Sequence, residues 1–265
     1  MIVDYHMHLR DSEEGLSFTL ESIERFVETA QARGVDEIGF SEHVYYFRET
    51  SSLWTVPYHV ERCAYELAPY VEAVEDAKAR GLPVKLGIEV DYVRGREDET
   101  RAVLAPYAWD FVLGSVHFVD GLGIDGKPRL LDAVGVDETW RLYLQELASA
   151  ARSGLFDVLA HPDVVKIWGA RPEVVDYSPL LEALDGVCLE VSTAGLRKPV
   201  GELYPDPVLL SAAQALGTGI TLASDAHVPH LVGEDFDRAI ALAREAGYDT
   251  VTVFDGRRGR QEPLG

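Results

Sequence analysis

The chain has 265 residues, 47% of them hydrophobic, with 24 Lys and Arg against 45 Asp and Glu and a formal net charge of −21. That length and apolar content are enough for one sizeable core, and the acidity argues against a nucleic-acid-binding surface, which is normally basic. An anionic substrate stays open, because bound metal ions reverse the local field.

In chain order, the first apolar run is Ile2-Val-Asp-Tyr-His6-Met-His8. A polar loop from Arg10 to Gly15 leads to a helix predicted over Thr19 to Arg33, with Ile23, Phe26, Val27 and Ala30 at helical spacing and Gly34 as its stop. A second strand ends at Glu42-His43. The insertion that follows carries Tyr45, Tyr46, Phe47, Trp54 and Tyr58. Long loops in compact domains are usually functional or disordered, and the aromatic content favours an ordered lid. A helix over Val60 to Arg80 precedes a third strand ending at Glu89. A shorter helix, Glu97 to Ala105, leads to a fourth strand ending at His117. The helix Val136 to Ser153 leads to a fifth ending at His161-Pro162-Asp163. A helix near Pro179 to Leu184 introduces the sixth strand, Gly186 to Thr193. The helix Pro207 to Leu216 precedes the seventh, Gly219-Ile-Thr-Leu-Ala-Ser-Asp225-Ala-His227. A last helix, Phe236 to Ala246, and a short strand, Thr250 to Phe254, complete the chain. Strand then helix, seven times over, predicts an α/β fold with a parallel sheet. Ligands converging from the first and last strand ends require that sheet to curl into a closed or nearly closed barrel. One domain over residues 1–265 is expected.

The polar residues recur in one place. Six of the eight histidines, His6, His8, His43, His117, His161 and His227, stand at the tips of apolar runs. In α/β sheets chemistry sits at these carboxyl ends. On a regular strand His6 and His8 point to the same side, so both imidazoles can face one ion. With Glu89 and Asp225 they give a mixed imidazole–carboxylate set that suits Zn²⁺, Mn²⁺ or Fe²⁺ better than Ca²⁺. Eight candidate ligands exceed the need of one tetrahedral ion, so two or three divalent ions are expected. Glu89 can bridge two of them alongside a hydroxide. Glu42 is a candidate orienter of a neighbouring ligand. His59 and His230 stand equally as loop or as wall of the site, and His230 is carried as a substrate contact.

These motifs, His6-x-His8, Glu42-His43, Glu89, His117, His161-Pro162 and Ser224-Asp225-Ala-His227, resemble in kind and order those of the PHP (polymerase and histidinol phosphatase) family, over nearly the whole chain. The resemblance implies a distorted, TIM-like (β/α)7 barrel with a trinuclear metal cluster. It implies His6, His8, Glu89 and Asp225 on one ion, Glu89, His117 and His161 on a second, and His43 and His227 on a third. The family's third site also takes a ligand from the loop after His-x-His. No histidine stands there, and Asp11 and Glu14 are the candidates, ahead of Glu13.

Within the family, Ser192-Thr-Ala-Gly-Leu-Arg197-Lys198-Pro is similar to a segment of the monofunctional histidinol-phosphatases. That implies hydrolysis of L-histidinol phosphate in histidine biosynthesis, with Glu89, Asp225 and His227 at the chemistry and no side-chain nucleophile. Arg197, just past the sixth strand, can take a phosphate bidentately; Lys166 is a further candidate contact. The rivals are a phosphatase for another small monoester, such as a nucleotide or phosphotyrosine, and an inactive metal-binding regulatory module. Cys63 and Cys188 suggest neither a CxxC site nor a disulfide framework. No secretory signal and no membrane-length apolar run is visible, so a cytoplasmic protein with a small-molecule partner is expected. Its oligomeric state is not readable from the sequence.

Overall fold

In the computed structural model, residues 1–10 and 15–265 are described in full and residues 11–12 by backbone alone. Among them, seven parallel strands form one sheet in sequential order: β1 (Val3–Asp4), β2 (Glu37–Phe40), β3 (Val84–Asp91), β4 (Phe111–Ser115), β5 (Val158–Leu159), β6 (Cys188–Ser192) and β7 (Ile220–Ala223). Each is followed by a helix: α1 (Leu20–Ala32), α2 (Leu67–Ala79), α3 (Glu97–Leu104), α4 (Val136–Arg152), α5 (Ser178–Leu181), α6 (Pro207–Ala215) and α7 (Phe236–Glu245). The expected (β/α)7 barrel is therefore the observed fold.

The barrel closes between its first and last strands. Tyr5 N–H donates to Leu222 O at 3.1 Å, Ala226 N–H to His6 O at 3.2 Å and His8 N–H to Ala226 O at 2.8 Å. The fully buried Asp4 carboxylate reinforces the seam, accepting from Ser224 N at 2.9 Å and Gly233 N at 3.0 Å. Buried backbone donors must find partners, and here a carboxylate supplies what the irregular end of the ladder cannot. No described helix is long and apolar enough to cross a membrane.

Local sequence explains two of the helix starts. Thr19 caps α1 through its side chain, which accepts from Ser22 N, and Asp206 caps α6 by accepting from Val208 N. Two expectations need correction. The helix predicted from Val60 begins at Leu67, because the preceding segment is drawn into backbone pairing with the insertion: Ala64 N and Tyr65 N both donate to Tyr46 O. The strand Thr250–Asp255 is half of an antiparallel hairpin with Arg258–Pro263, whose charged sequence hides its strand character.

Below the carboxyl ends of the strands, the barrel is filled by aromatic rings. Tyr5 stacks on Phe111 with centroids 4.9 Å apart, and Phe254 joins from the C-terminal hairpin. Glycines make room for them. A Cβ on Gly87 would lie 2.3 Å from the Phe111 ring, and one on Gly39 would lie 2.6 Å away. Overpacking a close-packed core costs about 1–3 kcal/mol, so Gly87→Ala should lower stability by about that much in urea denaturation. Adding Phe111→Leu should recover part of the loss. Wild-type stability of Gly87→Ala would show that the Phe111 ring can move aside.

Candidate metal centre

The strand ends and the loops beyond them bring the predicted side chains together. His6 and His8 leave β1, Glu42 and His43 follow β2, and Glu89 lies near the carboxyl end of β3. His117, His161 and Asp225 follow β4, β5 and β7. His161 and Asp225 have φ of 28° and 51°. Left-handed backbone at non-glycine residues is strained and clusters at functional sites, and here it turns two polar side chains inward.

Glu89 is the hub. Its Oε2 lies 3.4 Å from His6 Nε2, 3.7 Å from His8 Nε2 and 2.5 Å from His43 Nδ1. Its Oε1 lies 3.6 Å from His117 Nε2 and 3.4 Å from His161 Nε2. Asp225 Oδ1 closes the ring of contacts, 3.8 Å from His6 Nε2, 3.4 Å from His8 Nε2 and 3.7 Å from His227 Nε2. Among the described residues, three sets each bring candidate ligand atoms within 4.8 Å of one another: His6, Glu89 and His161; His6, His8 and Asp225; His8, His43 and His227. These sets share His6 and His8 more widely than the resemblance implied. His117 reaches the cluster through Glu89.

The opposite nitrogens of several imidazoles are held by carboxylates. His6 Nδ1 meets Glu190 Oε2 at 2.7 Å, His8 Nδ1 meets Glu42 Oε1 at 3.2 Å and His117 Nδ1 meets Asp91 Oδ1 at 2.7 Å. Such contacts fix tautomer and ring direction and turn Nε2 toward the centre. Glu42 also accepts from Leu9 N and His43 N, and Glu190 from His161 N at 3.0 Å. Glu190 and Asp91 did not emerge from the sequence reading. Asp91 had a signal, since it stands two residues past Glu89 and shares its side of the strand. Glu190 had a weaker one, an acid inside the apolar run of β6.

The charges are balanced against heavy desolvation. Burial alone would raise the Glu89 carboxyl, but His43, His6 and His161 outweigh it and hold it well below the usual range. Asp225 is likewise held well down against burial, by His6, His8 and His227. Burial pushes His6 and His117 down, yet the acids beside them hold both well above the ordinary imidazole value. His227 goes the other way: burial and then His8 push it well below.

A metal fits these residues. Both oxygens of Glu89, Nε2 of His6 and His8 and Nδ1 of His43 are buried without a hydrogen bond. Buried polar atoms in native proteins are nearly always satisfied, and a buried charge needs a partner. The donor set is imidazole and carboxylate, as divalent transition ions require.

The remaining expectations fall as follows. The Arg197 guanidinium donates to Ser224 O, next to Asp225, and to Glu234 Oε2 at 3.3 Å. Lys166 is buried, its ammonium 2.8 Å from Asp163 Oδ2 and stacked over Tyr204. The short turn after His161 folds the lysine inward onto Asp163. His230 is exposed on the turn Pro229–Leu231. His59 is buried, packed against Tyr45, Trp54 and Phe118. The aromatic insertion is ordered, with Tyr45 stacked on His43 at 4.7 Å, Tyr46 beside it and Phe47 turned into the core against Tyr70. The third-site candidates Glu13 and Glu14, and the side chain of Asp11, lie outside the described residues.

Residues 4–194 match the family model of the PHP domain. A protein of Deinococcus radiodurans called a probable histidinol-phosphatase is 35% identical over 234 residues, covering 86% of this chain and 88% of its own length. The histidinol-phosphatase of Bacillus subtilis is 27% identical over 266 residues, covering 88% and 96%. Among solved structures, the histidinol phosphate phosphatase of Lactococcus lactis subsp. lactis, complexed with zinc, L-histidinol and phosphate, superposes with a TM-score of 0.73 at 22% identity, over 98% of both chains. Motif order, a closed seven-stranded barrel and a match across most of its length agree, and the chain belongs to the PHP domain family.

Proposed function

We propose that this chain is a metal-dependent phosphomonoesterase that hydrolyses L-histidinol phosphate to L-histidinol and phosphate. The observation that carries the reading is Glu89: a buried carboxylate whose two oxygens face different imidazole groups and form no hydrogen bond. The substrate follows from relatives of that name, one of them matched along 88% of its own length.

The cluster would hold two or three divalent transition ions. His6, His8 and Asp225 would take one, His117 and His161 a second and His43 and His227 a third, with Glu89 shared between the first two. When bound, such ions supply a nucleophile from water at neutral pH and positive charge for the phosphoryl oxygens. The chain's own part is to hold and orient. Glu190, Glu42 and Asp91 fix the imidazoles of His6, His8 and His117. Tyr45, stacked on His43, covers that side of the cluster and keeps bulk water from it. Arg197, anchored to the carbonyl beside Asp225 with N–H groups to spare, would grip a phosphate oxygen.

The direct test is phosphate release across a panel of small monoesters, with elemental analysis of the same sample. Preference for histidinol phosphate is expected; equal or better turnover of nucleotides or phosphotyrosine would redirect the reading. Glu89→Gln should remove more than one ion per chain and abolish turnover, whereas loss of a single ion would refute the shared ligand. Arg197→Ala should keep the metal content and lower kcat/KM by about 100-fold or more, the scale of losing one charge-stabilising donor. Arg197→Lys should restore part of it, since an ammonium cannot form the bidentate pair. Near wild-type kcat/KM in Arg197→Ala would end the phosphate role.

A further inference from the structure

The three sets of candidate ligands differ in charge. Two of them include a carboxylate, Glu89 in one and Asp225 in the other. The third set, His8, His43 and His227, is all imidazole among the described residues. A neutral imidazole lends a lone pair to a divalent ion and cancels none of its charge. This corner is also the most open one: the His227 side chain is 38% exposed, against 14% for Asp225 and 12% for His43. The acid beside it, Glu42, is committed elsewhere, accepting from His8 Nδ1, Leu9 N and His43 N.

Arg10 stands against the same corner. It follows His8 by two residues and is half-buried. Its Nη2 donates to the Tyr46 hydroxyl at 2.6 Å, and the guanidinium lies 5.3 Å from the centroid of that ring. Tyr46 in turn lies beside His43, with ring centroids 5.8 Å apart. Arg10 Nε is buried without a hydrogen bond. The charge acts on both sides of the corner. Burial would raise the Glu42 carboxyl, but His8, His43 and Arg10 hold it below its usual value. Burial first, then His8, with His43 and Arg10 adding to it, pushes the His227 imidazole well down despite Asp225. An arginine stays charged at any working pH, so a fixed cation already occupies this side of the cluster.

We infer that Arg10 stands in for the third ion: the centre holds two ions tightly, through Glu89 and Asp225, and the guanidinium supplies the positive charge at the corner of His8, His43 and His227. The inference rests on the metal-dependent function proposed above and narrows its two or three ions to two. Electrostatics decides between guanidinium and ion. Like charges close together in a partly buried site repel strongly. A divalent ion among the three imidazoles would face Arg10 with no carboxylate in its own set to help. Arg10 is anchored by Tyr46, whereas an ion at the open corner exchanges with water. The two sets that include an acid lack both handicaps; His6, Glu89 and His161 are each 5% exposed or less. A guanidinium in this place also keeps N–H donors for a phosphoryl oxygen, the service a third ion would perform.

The test is a graded chelator challenge of the zinc-loaded protein, read by elemental analysis. The wild type should keep two ions per chain, with any third bound about tenfold more weakly or worse. Arg10→Gln removes the charge and should strengthen that third site by about tenfold or more, the scale of one unit charge beside a partly buried ion. Arg10→Lys keeps the charge and should behave as the wild type. The gain should vanish in the double variant Arg10→Gln/His227→Phe, and anomalous scattering from zinc-loaded Arg10→Gln crystals should put the added ion between His43 and His227. Three ions of equal affinity in the wild type, reduced to two in Asp11→Asn or Glu14→Gln, would show a loop acid outweighing the guanidinium and overturn the inference. An Arg10→Gln variant that gains nothing would do the same. Should Arg10→Gln fail to fold, the wild-type count of tight ions decides by itself. A wild type that binds no ion would overturn the proposed function along with this inference, whereas three equal ions would leave that function standing.

Discussion

Everything at the metal-facing end depends on the seam between β1 and β7. His6 and His8 stand at one end of the chain and Asp225 near the other, yet His8 Nε2 and Asp225 Oδ1 lie 3.4 Å apart. An open sheet of seven sequential parallel strands would hold those strands at opposite edges. The seam is short in ladder hydrogen bonds, so Asp4 supplements it from inside, bonding the backbone of Ser224 immediately before Asp225. The same carboxylate that closes the barrel thus sets the register of a candidate ligand. Arg197 donates to the carbonyl of that same Ser224, so closure, ligand placement and the proposed phosphate grip share one residue of backbone.

Glu89 has the opposite character. It is fully buried, with no hydrogen bond to stabilise it, and removing a charge from water costs several kcal/mol unless it is compensated. The surrounding imidazoles compensate in part, and their own outer nitrogens are tied to further acids. Negative charge therefore alternates with imidazole outward from the centre: Glu89, then His6 and His117, then Glu190 and Asp91. With more carboxylate than fixed cation, the arrangement suits bound positive ions, which would complete it. The chain's overall charge of −21 is accordingly no obstacle to a phosphate substrate, because bound ions would set the local field.

Much of this is legible in the sequence. Buried parallel strands read as short apolar runs, and a histidine or acid at the tip of such a run breaks the pattern visibly. That is why His6, His8, Glu89, His117, His161 and Asp225 stood out, and why seven alternating units gave the fold. What was lost has physical reasons. Glu190 lies within its strand, where an acid in an apolar run looks like an exposed edge until the barrel buries it at 1% exposure. The partner of Lys166 was equally hidden, since a five-residue turn carries the lysine onto Asp163. The start of α2 was misplaced because apolar spacing cannot register the pairing of Tyr65 with the insertion.

The insertion after β2 joins these threads. Its first turn puts Tyr45 on His43, and its later part puts Trp54 on His59. One segment therefore touches a candidate metal ligand and, through His59, the Asp91 carboxylate that holds His117. The barrel strands place the groups that would hold ions, a task that tolerates little displacement and suits rigid elements. The insertion, free of sheet register, supplies aromatic surface over one side of the cluster. Changes at the strand ends should abolish turnover for every ester alike.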